Sequence, residues 1–419
     1  VNFTREVGET DSTYGARITS AFNNEVRTQS RLKEREKENW RLYMGLYGWQ
    51  WDDEAARFLR EEGRPASTFN FIQGAVDTHV GLLKRNPLGT RFTPKSDRKE
   101  AVNIAQELFD YDYDRGKWGF EEAMFLLGGV IFRGIAQHIP DYRHSPYGNP
   151  GWRVIDPLSV WLDQSWLSYD TRECRYLFRS VFKTPDELAQ IMPRKNQEIM
   201  EAVRMHRLDQ PASYELRSTM QGDYENYAQD GRYRVVELHY LQARPSRKIY
   251  DKEQGKEVTF SSTEMEDMAL IAGKGRYHCL EYMRNISRVV TVVPGLGYFI
   301  LNDMEYPIQA NRLPFDIWSA KTVMGEPLAL VDLLKDFQQN YNKRESSLTL
   351  YFATMANGTK LGDVSFFPDE SQRAAVEKNY NKPGFLWMDS QGRDGRMAVQ
   401  AFPNGEFPQG LVNETSRLL

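Results

Sequence analysis

From Gly325 to Phe352 the chain reads GEPLALVDLLKDFQQNYNKRESSLTLYF, and its apolar positions recur at steps of three and four. Leu330, Leu334, Phe337, Tyr341 and Leu348, with Arg344 among them, form one stripe, while Asp332, Lys335, Asp336, Gln339, Asn342 and Lys343 face elsewhere. Gly325 and Pro327 mark a helix start, because proline is tolerated in a first turn. No Gly or Pro follows before Gly358, so the spacing predicts a helix about 39 Å long at 1.5 Å per residue. Its end is irregular. Leu348 to Ala353 is β-prone, so the helix is expected to pass into a strand that carries the chain out to a separate small unit.

Upstream, Ile18 to Tyr43 has opposite charges three and four residues apart, which predicts an exposed helix with a solvated charged face and an apolar line of Phe22, Val26, Leu32, Trp40 and Tyr43. A short helix from Asp53 to Glu62, an extended link GRPASTFNFI and a helix from Phe71 to Lys84 follow. Asp97 to Ile135 reads as a helical hairpin cornered near Gly116 and Gly119. The alternation then changes to period two. Strands are expected at Gly134–Ile139, Trp152–Asp156, in RECRYLFRSVFKT, in YRVVELHYLQARPSRKIYD and on both sides of Pro294-Gly295. Thr184-Pro185-Asp186-Glu187 opens a helix. After the long helix, Ser371–Asn379 has helical spacing, and GFLWMD and GRMAVQAF read as two strands joined by the turn SQGRD.

Composition narrows the function classes. In 419 residues, 40% are hydrophobic and 13% aromatic, enough for a sizeable core and about two or three domains. The net charge of −4 excludes the basic excess of a tight nucleic-acid binder. Two cysteines do not make a disulfide framework. The longest apolar run, Ala123–Phe132, is half a bilayer span and reads as a buried helix. Val1 in place of Met suggests processing or a missing start, and a helical pattern at Leu411–Leu419 that stops without a cap leads us to expect further chain beyond it.

Catalytic signals are sparse. Asp110, Asp112, Asp114 and Glu121 match calcium-loop positions 1, 3, 5 and 12, but Arg115 stands where that loop needs glycine. Asp156 and Asp163 bracket an extended segment and read as Asx turns. No Gly-Lys-Ser/Thr phosphate loop is present, and no second Cys/His pair accompanies His278-Cys279. No cofactor is expected, and no enzyme activity is supported. A cytosolic α+β enzyme remains one rival class.

Four stretches carry a family resemblance: RLKEREKENWRLYMGLYGWQWDDEAARFLREEGRPASTFNFIQGAVDTHVGLLKRNP, VIDPLSVWLDQS, RYLFRSVFKTPDEL and LPFDIWSAKTVMGEPLALVDLLKDFQQNYNKRESSLTLYF. In their order and spacing the chain resembles the bacteriophage portal proteins, the head-to-tail connectors of short-tailed double-stranded DNA phages. The resemblance implies an α+β fold with a wing over residues 1–310, a lead-in loop and first stem helix over 311–350, a small α/β clip over 351–404, and the start of a second stem helix over 405–419 with the crown absent. It further implies a homo-oligomeric ring, usually of twelve subunits, in the virion at one capsid vertex, assembled in the host cytoplasm. Its partners would be double-stranded DNA, the major capsid protein, scaffolding protein, terminase and tail adaptor proteins, with no membrane. A tail or adaptor ring protein is the second rival.

On that reading Leu330, Leu334, Phe337 and Tyr341 are buried by a neighbouring copy, since a one-striped helix needs cover. Lys335, Lys343 and Arg344 either meet DNA phosphates or pair between subunits with Asp332, Asp336 and Glu345. Arg393, Asp394 and Arg396, at the tip of the expected clip hairpin, are the candidate contact for the motor and adaptors.

Overall fold

In the computed structural model residues 3–401 are described, apart from 47–49, 52, 62–65, 86–89, 94–98, 143–145, 147, 168–170, 207–227, 230–231, 254, 259–267, 269–270, 272–274, 309–310, 358–359, 365–366, 380–384 and 389–398. A Glu/Met-rich stretch, TEMEDMALIAG, also reads as a helix in the sequence; it, the clip tip and the second stem helix lie largely or wholly outside these residues.

The N-terminal charged pattern forms two helices, not one. Thr10 caps α1 (Asp11–Thr28) by accepting the Thr13 amide proton, and Gln29 separates it from α2 (Ser30–Met44). The charge run is not a solvated face. Lys33 is 2% exposed and Glu36 0%, because both turn inward, where Glu36 pairs with Lys33 at 3.2 Å and with Arg133 at 2.6 Å. Helices α3 (Asp53–Glu61), α4 (Phe71–Arg85), α5 (Lys99–Arg115) and α6 (Trp118–Ile131) follow, as the spacing predicted. The apolar run ends α6 in a buried setting, where a Cβ on Gly129 would stand 1.9 Å from the Trp318 ring. The acidic run resembling a calcium loop is the end of α5, a turn at Gly116 and Lys117, and the start of α6: Asp112 pairs with Arg115 at 3.3 Å and Glu121 accepts the Val154 amide at 2.8 Å. Asp156 and Asp163 do form Asx turns, accepting from the amides of Leu158 and Ser165 at 2.9 Å each.

The strands are β1 (Gly134–Asp141), β2 (Asn149–Val154), β3 (Val160–Leu162) and β4 (Tyr176–Lys183). Helices α7 (Pro185–Ile191), which has a full Thr184–Glu187 capping box, and α8 (Asn196–Met205) intervene. Then come β5 (Ala228–Gln229), β6 (Arg232–Asp251), β7 (Lys256–Val258), β8 (Tyr277–Val293), β9 (Phe299–Glu305) and β10 (Phe315–Trp318). One antiparallel sheet has the order β3-β4-β6-β8-β9, with β5 and β7 also on β6, and a second has the order β10-β1-β2. Period-two alternation sorts the core. Tyr176 and Phe178 of β4 meet Tyr14, Ile18 and Phe22 of α1, whereas Leu177 between them joins Ile135 and Phe315 on the opposite face. This mixed, largely antiparallel architecture is the expected α+β class.

Short strands β11 (Thr322–Val323) and β12 (Glu326–Pro327) form a hairpin around Met324 and Gly325, both at positive φ. Gly325 and Pro327 therefore close a turn and do not start the helix, because two consecutive left-handed residues match a two-residue hairpin. The long helix α9 runs over Leu330–Asn357. It does not become a strand after Leu348. Strand β13 (Lys360–Asp363), helix α10 (Glu370–Asn379), and strands β14 (Phe385–Met388) and β15 (Val399–Ala401) complete the described residues. Strands β14 and β15 are not a hairpin: β13 lies between them, parallel to β14 and antiparallel to β15.

The chain divides into two compact units, residues 1–40 with 76–332, and residues 41–75 with 333–419. Chain order hides this, and the sequence-based wing of 1–310 includes a segment that belongs to the second unit.

Candidate functional site: the long helix

Helix α9 has 28 residues, about 42 Å of axis, without an internal Gly or Pro. Asp332 fixes its start. One carboxylate accepts from the Ala329 amide at 3.0 Å, from Arg35 Nη2 at 2.6 Å and Nε at 3.0 Å, and from Asn39 at 3.0 Å. Burial alone would raise the Asp332 pKa, but these donors outweigh it and hold the group below the usual carboxylate range. Asp332 is thus committed within its own chain, and the expectation that it faces away as a partner for neighbouring cations is corrected.

The second unit is organised by a polar ladder. Gln338, Asn342 and Ser346 lie four residues apart on one face of α9 and are buried. Along this face the extended segment before α4 runs antiparallel to the helix: the amides of Ser67, Phe69 and Phe71 donate to Ser346 Oγ, Asn342 Oδ1 and Gln338 Oε1 at 2.9, 3.1 and 2.9 Å. The register has a simple cause. Two residues of extended chain advance about 6.8 Å and four of helix about 6 Å, so alternate amides meet every fourth side chain. Gln338 Nε2 donates to the Phe69 carbonyl, and Asn342 Nδ2 donates to Gln50 Oε1 at 3.2 Å. Gln50 in turn donates to the Leu42 carbonyl at 2.9 Å. Side chains here replace the strand that residues 67–71 lack. The sequence placed Asn342 on the outward face; the spacing Gln338, Asn342, Ser346 was the signal available for finding the ladder.

The apolar stripe is partly spent in the same place. Tyr341 is buried, with its ring 4.5 Å from that of Phe71 and 6.0 Å from that of Phe69, and Phe337 stacks on Tyr341 at 6.3 Å. These two residues have apolar cover without a neighbour, while Leu333 on the same helix is 64% exposed. The three candidate cations do not share a face. At 100° per residue, Arg344 lies opposite the ladder, Lys343 about a quarter turn from it, and Lys335 in line with it one turn earlier. Lys343 is exposed, and Lys335 and Arg344 are half-buried.

Beyond α9, Trp387 of β14 pairs with Gly362 of β13, where a Cβ would come within 2.6 Å of the indole, and it meets Phe367 edge-on at 5.8 Å. Strands β13 and β14 pair in parallel with α10 between them in the chain, and β15 pairs antiparallel on the other edge of β13. Arg393, Asp394 and Arg396 lie outside the described residues. Among the described residues no helix is long and apolar enough to cross a membrane, and no cluster of three or more metal-ligating side chains occurs.

No curated protein matches the chain. A model of the family described as Phage P22-like portal protein matches residues 19–418. That span runs from α1 through both sheets, the long helix and the small unit after it, and a match of this extent settles the family: the chain belongs to the P22-like phage portal proteins.

Proposed function

We propose that this chain is one subunit of a ring, expected to hold twelve copies, at a single capsid vertex. The ring is the channel for packaging and ejecting double-stranded DNA and the platform for the terminase and tail adaptors. Major capsid and scaffolding proteins would contact its outside. The family match over residues 19–418 carries this reading. The long helix supports it: apart from Asp332, which is paired with Arg35, α9 holds Asp336 and Glu345 against Lys335, Lys343 and Arg344, close to an even balance. A translocation channel requires that balance, since each phosphate contact adds salt-dependent affinity that must be broken as DNA moves.

Electron microscopy of the purified chain tests the ring directly, and discrete monomers at micromolar concentration would overturn it. A tail adaptor ring is separated by imaging labelled subunits in intact virions. Changing Lys343 and Arg344 together to Gln is expected to alter DNA retention in filled heads while leaving rings intact. Loss of rings would assign those cations to contacts between subunits.

A further inference from the structure

Two helical surfaces on the first unit are left without cover. On α5, Ile104, Leu108 and Tyr111 follow one another at helical spacing and are 57%, 58% and 61% exposed. Glu107 and Asp114, seven residues and about 10 Å apart along the axis, edge this stripe on one side. Neither carboxylate has an ion pair among the described residues, while Arg115, which lies over the Tyr111 ring at 5.7 Å, is already paired with Asp112 at 3.3 Å. The second surface is the end of α4. Its last five residues, Gly81 to Arg85, are all exposed, with Leu82 at 54% and Leu83 at 42%. They finish on Lys84 and Arg85, the basic end of that helix.

Each surface has what the other lacks. One is apolar with an acidic edge and the other apolar with a basic end, and a free helical turn with solvent on every side gains little stability of its own. We propose that the α5 stripe of one copy docks on the α4 end of the next copy, with Glu107 and Asp114 facing Lys84 and Arg85. The contact uses different surfaces on its two sides, so it is head-to-tail, the type that generates a closed ring when the rotation between copies closes. A capsid or scaffolding protein of a single charge character would cover one surface and leave the other bare. This assignment rests on the ring reading above and names the surfaces that close it.

The test uses the full chain, with assembly followed by sedimentation velocity over a concentration series and by electron microscopy. The double reversals Lys84→Glu with Arg85→Glu, and Glu107→Lys with Asp114→Lys, should each raise the concentration for half-assembly roughly tenfold or more, because like charges then face each other. Combining all four reversals should restore assembly toward the wild-type concentration, which also shows that the variants fold. If the wild type forms rings and both double variants assemble as it does, or the fourfold variant is no better than either, the inference fails and the ring reading stands. If the wild type forms no ring, the ring reading itself is wrong.

Discussion

Glu36 is fully buried between two cations: Arg133 donates to it through Nη2 at 2.6 Å and Nε at 3.0 Å, and Lys33 Nζ approaches at 3.2 Å. Burial alone would raise its pKa, and Arg133 and Lys33 overcome this and keep it below the usual range. Lys33 also donates to the Pro157 carbonyl at 2.6 Å and lies over the Trp161 ring at 4.9 Å. Removing the shared anion leaves two buried cations opposed, so Glu36→Gln is expected to cost about 3–5 kcal/mol, a drop in melting temperature on the order of 10 °C. Lys33→Met leaves the Glu36–Arg133 pair balanced and should cost clearly less. Calorimetry of both variants checks the order. The pH dependence follows from Lys33, whose pKa burial lowers from 10.5 to about 8. Between those values the unfolded chain holds the proton that the folded chain has released, so stability rises with pH across that window. Wild type should therefore gain on Lys33→Met between pH 8 and 10, read as the gap between their melting temperatures. Nothing in the pattern RLKEREKENW separates these residues from a solvated helix face, because the partners that bury them, Arg133 and Pro157, are about a hundred residues away.

At the scale of elements, local spacing was legible and long-range pairing was not. Both ends of α4, the α5–α6 corner, the capping box of α7 and the strand β6 follow from periodicity and turn chemistry within a few residues. The exceptions share a cause. The helix α9 continues through its β-prone end to Asn357, and the expected clip hairpin is replaced by a strand, Lys360–Asp363, inserted between its two arms. Four residues containing one Gly and two charges carry no strand signal of their own; pairing on both edges makes them one. The polar ladder is equally nonlocal. Asn342→Leu would take from the Phe69 amide and the Gln50 side-chain oxygen Oε1 the partners they have here and should destabilise the second unit by about 2–4 kcal/mol. Hydrogen exchange checks this: amides of Ser67–Ile72 should exchange faster in the variant, with those of β6 and β8 unchanged. Phe337→Asp is expected to loosen the same segment, since Phe337 stacks on Tyr341.

For the whole molecule, the family and the α+β class could be read from the order of four sequence stretches, while the division into units could not, since residues 41–75 join a helix almost three hundred positions later. The site residues divide in the same way: α9 and its charges are present, but two members of its apolar stripe and Asp332 are committed within the chain. The clip's partner contact stands as a proposal on Arg393 and Arg396. The suitable test is substitution: Arg393→Glu with Arg396→Glu should keep rings and abolish capture of adaptor or motor in a pull-down. Normal capture of both would move the docking surface elsewhere.

The strap over α9 also sets a clock. Ser67 and Phe71 meet Ser346 and Gln338 across 279 and 267 positions of chain. At a synthesis rate of about 5–20 residues per second, the amides of this segment leave the ribosome roughly 15–55 s before the side chains that will accept them. During that interval the first sheet can form, but the second unit cannot close on its helix. Closure of the second unit is therefore deferred by the order of translation itself: a nascent chain acquires its long helix only after the whole first unit has been made, and with it the means to hold the early segment in place.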